Sequence, residues 1–273
     1  MDKIAVISDI HGNLEALKSV LADIEKRKID KVYCLGDVIG KGRNSNECLN
    51  LLKDCIIVYG NWEDFFNHKR ITNEASEKRY QLLDKQLSDS NKKRLKTFPL
   101  CYEFYMSGRL VRMFHATPDN AWDNVLNIDR IDKLYQQFLP TKYTSKEVAD
   151  IIVYGHTHTQ NLMKLYNRTL INTGSVGNAF DIIRNKEKDG KCENTTNADY
   201  LIIEGKINCK EISDIRFEFI SLTYDRNKEL KENTNDNNPE LESYKKEILT
   251  GEFRNIKKYE NNFSDANYDI ENL

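Results

Sequence analysis

The sequence predicts an α/β protein, and three observations carry that expectation. Short apolar runs suited to buried strands recur along the chain, at residues 3–8, 32–35, 56–59 and 151–154. Between the first three lie stretches with apolar residues at helical spacing. Each run also stops at a glycine or at a ligand-type side chain: Asp9, Gly36-Asp37, Gly60-Asn61 and Gly155-His156. Open α/β sheets place their functional loops at such strand carboxyl ends.

Taken in order, Asn13 caps a helix carried by Leu14, Leu17, Val20, Leu21 and Ile24. Cys48, Leu49, Leu51 and Leu52 suit a second helix. From 74 to 96 the chain is polar and helix-prone, with Tyr80, Leu83, Leu87 and Leu95 as a thin apolar stripe, and reads as a small helical insertion. Runs at 102–104 and 110–114 form a hairpin around Ser107-Gly108 and deliver His115. Ile128, Ile131, Leu134, Tyr135 and Phe138 mark a helix stopped at Pro140. Leu170-Ile171-Asn172 leads into a glycine-bearing loop, 173–177, and the polar stretch 185–197 reads as a mobile loop. Two further strands follow, around 200–203 and along Ile215, Phe217 and Phe219. Past Asp225 the composition turns to Asn, Glu and Lys, and Leu241, Tyr244, Ile248 and Leu249 suit a peripheral helix.

Bulk composition excludes several classes. At 273 residues there is room for one large domain or two modest ones; 39 % hydrophobic residues can fill a core, and 31 % charged residues solvate a surface. A net charge of −2 provides no global basic field for nucleic acid or an anionic membrane. Six cysteines with no C-x-x-C pair read as reduced thiols. No apolar run approaches the roughly 20 residues of a membrane-spanning helix, and the chain opens on a strand pattern rather than a leader. A cytoplasmic protein without membrane association is expected.

Four of the five histidines, His11, His115, His156 and His158, fall at or just after predicted strand ends. Any one alone has an ordinary reading as a core or surface residue. Together with Asp9, Asp37 and Asn61, all beside glycines or turns, they form a set that chance does not explain. Carboxylate oxygen and neutral imidazole nitrogen suit Mn²⁺, Fe and Zn²⁺. Two such ions about 3.5–4 Å apart can hold phosphoryl oxygens and activate water. Asp37, between the two ligand groups in sequence, is the natural bridge.

The ordered set Asp-x-His, Gly-Asp, Gly-Asn, a lone His and Gly-His-x-His resembles the calcineurin-like metallophosphoesterase superfamily, from Lys3 to about Phe180. The resemblance implies a four-layer α/β-β/α sandwich, with residues 1–225 as the phosphoesterase domain and 226–273 as a helical tail packed on it. It implies that Asp9, His11, Asp37 and His158 hold one divalent ion and Asp37, Asn61, His115 and His156 the other. Mn²⁺ or Fe is expected, with Zn²⁺ as an alternative. It also places Asn13 near bound phosphate as an oxyanion donor, although helix capping alone also accounts for Asn13. Asn13, Asp37, Asn61 and His115 are thus the candidate catalytic residues. Asp181 is a candidate to orient a ligand histidine, or simply solvates its turn.

Two departures bear on the substrate. The family's protein phosphatases carry Gly-Asp-x-x-Asp-Arg-Gly, whereas this chain has Gly36-Asp37-Val38-Ile39-Gly40-Lys41-Gly42, which argues against a protein phosphatase. Many members follow Gly-Asn with a histidine taken as the general acid; here that position is Trp62. An indole donates a hydrogen bond but delivers no proton at working pH, and general-acid help is typically worth about 10²–10⁴-fold. A phosphate leaving group, with a pKa of about 6, needs far less help than an alkoxide. Trp62 therefore favours phosphoanhydrides and other activated substrates, and it either stacks on a nucleobase or packs against its own loop. His68 either replaces the missing acid or is an exposed loop residue without a role.

The run Gly60-Asn61-Trp62-Glu63-Asp64, with 115–120 and 172–178, is similar to the streptococcal type of asymmetric diadenosine tetraphosphate hydrolases with phosphodiesterase activity. The leading expectation is a metal-dependent phosphohydrolase acting on a small phosphorylated substrate, a nucleotide, with diadenosine tetraphosphate split into ATP and AMP. The alternatives are a phosphodiesterase acting on cyclic nucleotides or other diesters, and a non-catalytic scaffold like the retromer subunit that this fold resembles. No protein partner is expected other than a second copy, for which the apolar C-terminal strands offer a pairing surface.

Overall fold

A computed structural model describes residues 1–125, 129–180, 196–233 and 237–252. The expected polar loop, with Cys192 in it, lies almost wholly outside the described residues, as do Asp181 and Ile128.

The chain begins β1 (Asp2–Ile7), α1 (Leu14–Lys26), β2 (Lys31–Cys34), α2 (Ser45–Leu51), β3 (Ile56–Ile57) and α3 (Asn61–Asn67). Asn13 caps α1 as expected, its side-chain oxygen accepting from the Ala16 amide at 3.0 Å. The insertion is two helices, α4 (Glu74–Gln86) and α5 (Asp89–Leu95), divided where Leu87 turns extended and Ser88 caps the second. β4 (Cys101–Met106) and β5 (Arg109–Phe114) form the expected hairpin, with Ser107 and Gly108 both at positive φ. There follow α6 (Ile131–Gln136), β6 (Ile151–Tyr154), β7 (Asn161–Leu165), β8 (Arg168–Asn172), β9 (Ala198–Gly205), β10 (Arg216–Leu222), α7 (Arg226–Glu232) and α8 (Leu241–Thr250).

Several elements depart from the sequence expectation: α3 and α7 were not expected, and three others differ as follows. β3 is two residues long, because Val58 and Tyr59 bond outside a ladder, to Cys34 and Pro99. β7 is an edge strand with half-exposed side chains, so it lacks the apolar run that marks a buried strand. α8 buries Leu241, Tyr244 and Ile248, while Leu249 is 58 % exposed.

Two five-stranded sheets form the centre, ordered β10-β9-β1-β2-β3 and β4-β5-β6-β8-β7. In each, three strands run parallel (β1, β2, β3 and β5, β6, β8); β9 and β10 extend the first sheet beyond β1 by antiparallel pairing, and β4 and β7 flank the second as antiparallel edges. Period-two alternation explains the layering. Ile4 and Val6 of β1 meet Val111, Met113, Ile151 and Val153 of the second sheet between the sheets. Ala5 and Ile7 point the other way, into a core with Leu17, Val20 and Ile24 of α1. A third cluster, with Phe114, Ile152, Leu134 and Phe138, lies between the second sheet and α6. Helix, sheet, sheet and helix make the four-layer α/β-β/α sandwich that the resemblance implied. No described helix is long and apolar enough to cross a membrane.

Candidate metal centre

The parallel strands of both sheets release the candidate residues at their carboxyl ends. Asp9 and His11 follow β1, Asp37 follows β2, Asn61 follows β3, His115 follows β5, and His156 and His158 follow β6. Five of the seven adopt left-handed backbone: Asp9 (φ 54°), His11 (52°), Asp37 (51°), His156 (66°) and His158 (64°). That conformation is uncommon for a residue with a side chain and persists only where the surroundings enforce it. Two glycines of the motifs have steric reasons. A Cβ at Gly60 would collide with the Asp37 carboxylate, and one at Gly155 with Ser8 and the Asp9 carboxylate.

The donor atoms fall into two groups. In the first, His11 Nε2 and His158 Nε2 lie 3.1 Å apart, with Asp9 Oδ1 3.3 Å from the latter and 3.8 Å from the former. In the second, His115 Nε2, His156 Nδ1 and Asn61 Oδ1 make a triangle with sides of 3.0, 3.0 and 3.1 Å. Asp37 Oδ2 lies 3.8 Å from His11 Nε2 and 3.5 Å from His115 Nε2, so one oxygen faces both groups. Among carboxylates and imidazoles alone, the clusters are Asp9-His11-His158 and Asp9-Asp37-His115, which makes Asp9 the shared member. Asp9 Oδ1 is the more distant from His115, at 4.0 Å.

The donors fit divalent ions. His115 Nδ1 donates to the Leu35 carbonyl at 2.7 Å and His158 Nδ1 to that of Asn178 at 2.5 Å, so both Nε2 atoms present lone pairs. His115 Nε2 therefore faces the Asn61 carbonyl oxygen at 3.0 Å, acceptor against acceptor. A metal ion held between them turns that opposition into attraction. Two ligand atoms about 2.0–2.1 Å from one ion, at an opening angle near 100°, stand about 3.1 Å apart. Asp9 Oδ1 is buried with no hydrogen-bond partner, which is unfavourable for a carboxylate unless an ion completes it.

The electrostatics agree. Burial, and next the charge of Lys41, push His11 well below its ordinary value. Burial and then His115 bring His156 down to about 3. These rings are neutral and able to ligate near pH 7. Burial drives the Asp37 carboxyl well up, and the Glu63 and Asp9 carboxylates add to it. Burial alone would raise Asp9 too, but the surrounding imidazoles, His158 foremost, hold it well below the carboxylate range. Several carboxylates packed together out of water form an environment that favours a cation.

The seven candidate ligands thus come together, and the side chains of the other candidates are engaged elsewhere in the chain or beside them. Asn13 is buried, and both of its amide hydrogens have partners in the chain, the Gly177 carbonyl at 2.8 Å and the Tyr224 hydroxyl at 3.2 Å. Trp62 stands with its ring edge-on to His11, centroids 5.8 Å apart, and lies over Gly40, where a Cβ would strike the indole. The Arg79 guanidinium covers it at 5.2 Å. His68 is bonded through Nδ1 to Asp64 at 2.9 Å and to the Tyr59 hydroxyl at 3.0 Å, with its side chain 62 % exposed.

Two supporting groups escaped the sequence reading. Glu63 is fully buried, and its carboxylate accepts from the amides of Asp37 (2.8 Å), Val38 (2.9 Å), Ile39 (3.3 Å) and Gly60 (2.9 Å), tying the Asp37 loop to the start of α3. A glutamate three residues after the cap position is a helix-start signature that could have found it. Glu247 of α8 is also fully buried, 3.2 Å from Asn178 Nδ2 and 3.7 Å from Lys41 Nζ. No local signal marks a contact between residues 206 positions apart in the chain.

Comparison with known proteins bears on the family and the fold. The profile of the calcineurin-like phosphoesterase superfamily domain matches residues 2–188. An uncharacterized protein of Methanocaldococcus jannaschii is 33 % identical over 250 residues, covering 81 % of this chain and 88 % of that protein. Among solved structures, a metallophosphoesterase from Sphaerobacter thermophilus is similar at a TM-score of 0.65 and 20 % identity, covering 92 % of this chain and 99 % of that one. A hypothetical protein from Pyrococcus horikoshii is similar at a TM-score of 0.72 and 16 % identity, with the same coverage of both chains. At these identities the likeness of the structures is one of fold.

Proposed function

Because the chain belongs to the calcineurin-like phosphoesterase superfamily, we propose that it hydrolyses phosphoanhydrides or phosphodiesters at a two-metal centre, with asymmetric cleavage of diadenosine tetraphosphate into ATP and AMP as the specific reaction. The observation that carries the reading is the pair of donor groups on either side of Asp37, above all His115 Nε2 set 3.0 Å from Asn61 Oδ1 with lone pairs opposed.

Asp9, His11, His158 and Asp37 would hold one ion, and Asp37, Asn61, His115 and His156 the other, with Asp37 as the bridge. Divalent ions there, Mn²⁺ or Fe and alternatively Zn²⁺, supply Lewis-acid polarisation of phosphoryl oxygens and activation of water near neutral pH. The protein's part is orientation. The Leu35 and Asn178 carbonyls fix the tautomers of His115 and His158. The Trp62 amide, 2.8 Å from Asp37 Oδ1, leaves Oδ2 turned toward both groups. Asn13 ties the β1 loop to Gly177.

The preference for an anhydride rests on Trp62. All five histidines are described: four belong to the centre, and His68 is engaged by Asp64 and Tyr59. An imidazole proton for the leaving group is therefore not available from the Trp62 position, and a phosphate leaving group has the least need of one. Incubation of the purified protein with Mn²⁺ and diadenosine tetraphosphate should yield equal ATP and AMP by anion-exchange chromatography. Recovery of ADP alone, or of unchanged substrate, overturns the specific reaction. Hydrolysis of bis-p-nitrophenyl phosphate that persists in Asp37→Ala would overturn the proposed centre.

A further inference from the structure

Between α3, which opens on Asn61, and the segment that follows His115 lies a groove of about 670 Å³. One wall is α3 with the residues flanking it, Tyr59, Asp64 and His68, and the facing wall is the segment after His115, ending at Trp122. Asp64 organises this groove. It is buried, and its carboxylate accepts from the Tyr59 hydroxyl at 2.6 Å, from Trp122 Nε1 at 2.7 Å and from Arg70, and it pairs with His68 at 2.9 Å. The loop to Trp122 is fixed in turn: the Trp122 amide donates to Asn120 Oδ1 at 2.9 Å, and the Thr117 hydroxyl donates to the Asn120 carbonyl at 2.9 Å. Arg70 stands over the indole at 5.8 Å, yet Trp122 is 42 % exposed. The indole is thus held by a buried carboxylate while part of its ring stays open to solvent.

We infer that this groove is a nucleoside subsite, in which Trp122 and Arg70 receive the base of the substrate while its phosphate chain lies at the metal centre. The inference deepens the function proposed above and rests on it for the position of the scissile phosphorus. Three features support it. Asn61 opens α3 and His68 follows it, seven residues on, a span of about 10 Å at 1.5 Å per residue. His68 thus follows the opposite end of α3 from Asn61, on the side where the far end of an extended substrate would lie. An indole beside a guanidinium offers a stacking platform to any base. The basic side chains of His68, Arg70 and Lys96 accompany the aromatic ones, as a nucleoside joined to phosphate requires. Because Asp64 holds the walls in place beforehand, little ordering is left to the ligand.

Two measurements test it. In Trp62→Phe protein, Trp122 is the single tryptophan, since the chain has two. Adenosine carries no phosphate and so reports on the groove alone; it should quench Trp122 emission saturably, and ribose should not. In Trp122→Ala, kcat/KM for diadenosine tetraphosphate relative to that for bis-p-nitrophenyl phosphate, which is too short to span the groove, should fall roughly 5- to 150-fold, the range of base–aromatic stacking. An unquenched emission, or a ratio that stays at the wild-type value, overturns the subsite. If the wild-type protein hydrolyses no phosphate ester with any metal, the function proposed above fails, and the adenosine titration still decides the groove.

Discussion

Under the proposed function, substrate preference turns on Trp62. Its amide serves Asp37, and its ring fills the space over Gly40 beside His11, Phe65 and Arg79. Trp62→His keeps the amide contact and supplies a proton donor. Turnover of esters with poor leaving groups should then rise by about 10²-fold relative to anhydrides, while the void left by the indole costs about 2–4 kcal/mol of stability. Parallel kinetics on an alkyl diester and diadenosine tetraphosphate would check this; an unmoved ratio means that Trp62 does not set the preference. Glu63 belongs to the same scale. Its carboxylate holds four amides of the Asp37 and Gly60 turns, and in Glu63→Gln the amide group would turn a donor toward donors. Metal affinity should fall about 10–100-fold, as losses of supporting contacts typically produce, read by titration with Mn²⁺. The ligand set was legible in sequence because each member ends an apolar run. Glu63 was only partly so: its contact with the Gly60 amide is a local helix-start signature, but its other partners are backbone amides of a loop 24–26 residues earlier.

At the scale of elements, α7 and α8 meet through a buried carboxyl. Glu229 Oε1 accepts from the Tyr244 hydroxyl at 3.0 Å and from Asn233 at 2.8 Å, while Oε2 is buried without a partner. Burial raises its pKa from an ordinary 4.5 to about 7. The folded protein then keeps a proton that the unfolded chain releases, so stability is full below about pH 4.5, declines as pH rises toward 7, and stays lower beyond. The loss approaches about 3 kcal/mol. Glu229→Gln should therefore raise the melting temperature at pH 8 and leave it nearly unchanged at pH 4, which scanning calorimetry at the two pH values resolves. An equal change at both would show that the carboxyl does not carry this penalty. The pattern of α8 was readable from Leu241, Tyr244 and Ile248. α7 was not, since its sequence, RNKELKE, has one apolar residue and is ordered by its Asp225 cap and by Glu229.

For the molecule as a whole, the open question is whether the tail is part of the domain. Glu247 links α8 to Lys41, four residues past Asp37, and to Asn178, whose carbonyl holds His158. We propose that residues 226–252 unfold with the rest. Calorimetry of the intact chain should then show one transition, and Glu247→Ala should lower it by about 3 kcal/mol through loss of one side of a buried pair. A separate low-temperature transition would mark the tail as independent.

The amino-acid sequence by itself determined the α/β class, the strand ends and the seven ligand-type residues, because apolar periodicity and glycine placement are local properties of the chain. Tertiary structure alone decided which nitrogen or oxygen of each residue faces which neighbour. It also brought Glu63 under the Asp37 loop, carried Glu247 to the back of His158, and opened the groove between α3 and Trp122. Those contacts join parts of the chain that share no sequence pattern, and burial and hydrogen bonding select them only once the two sheets have packed.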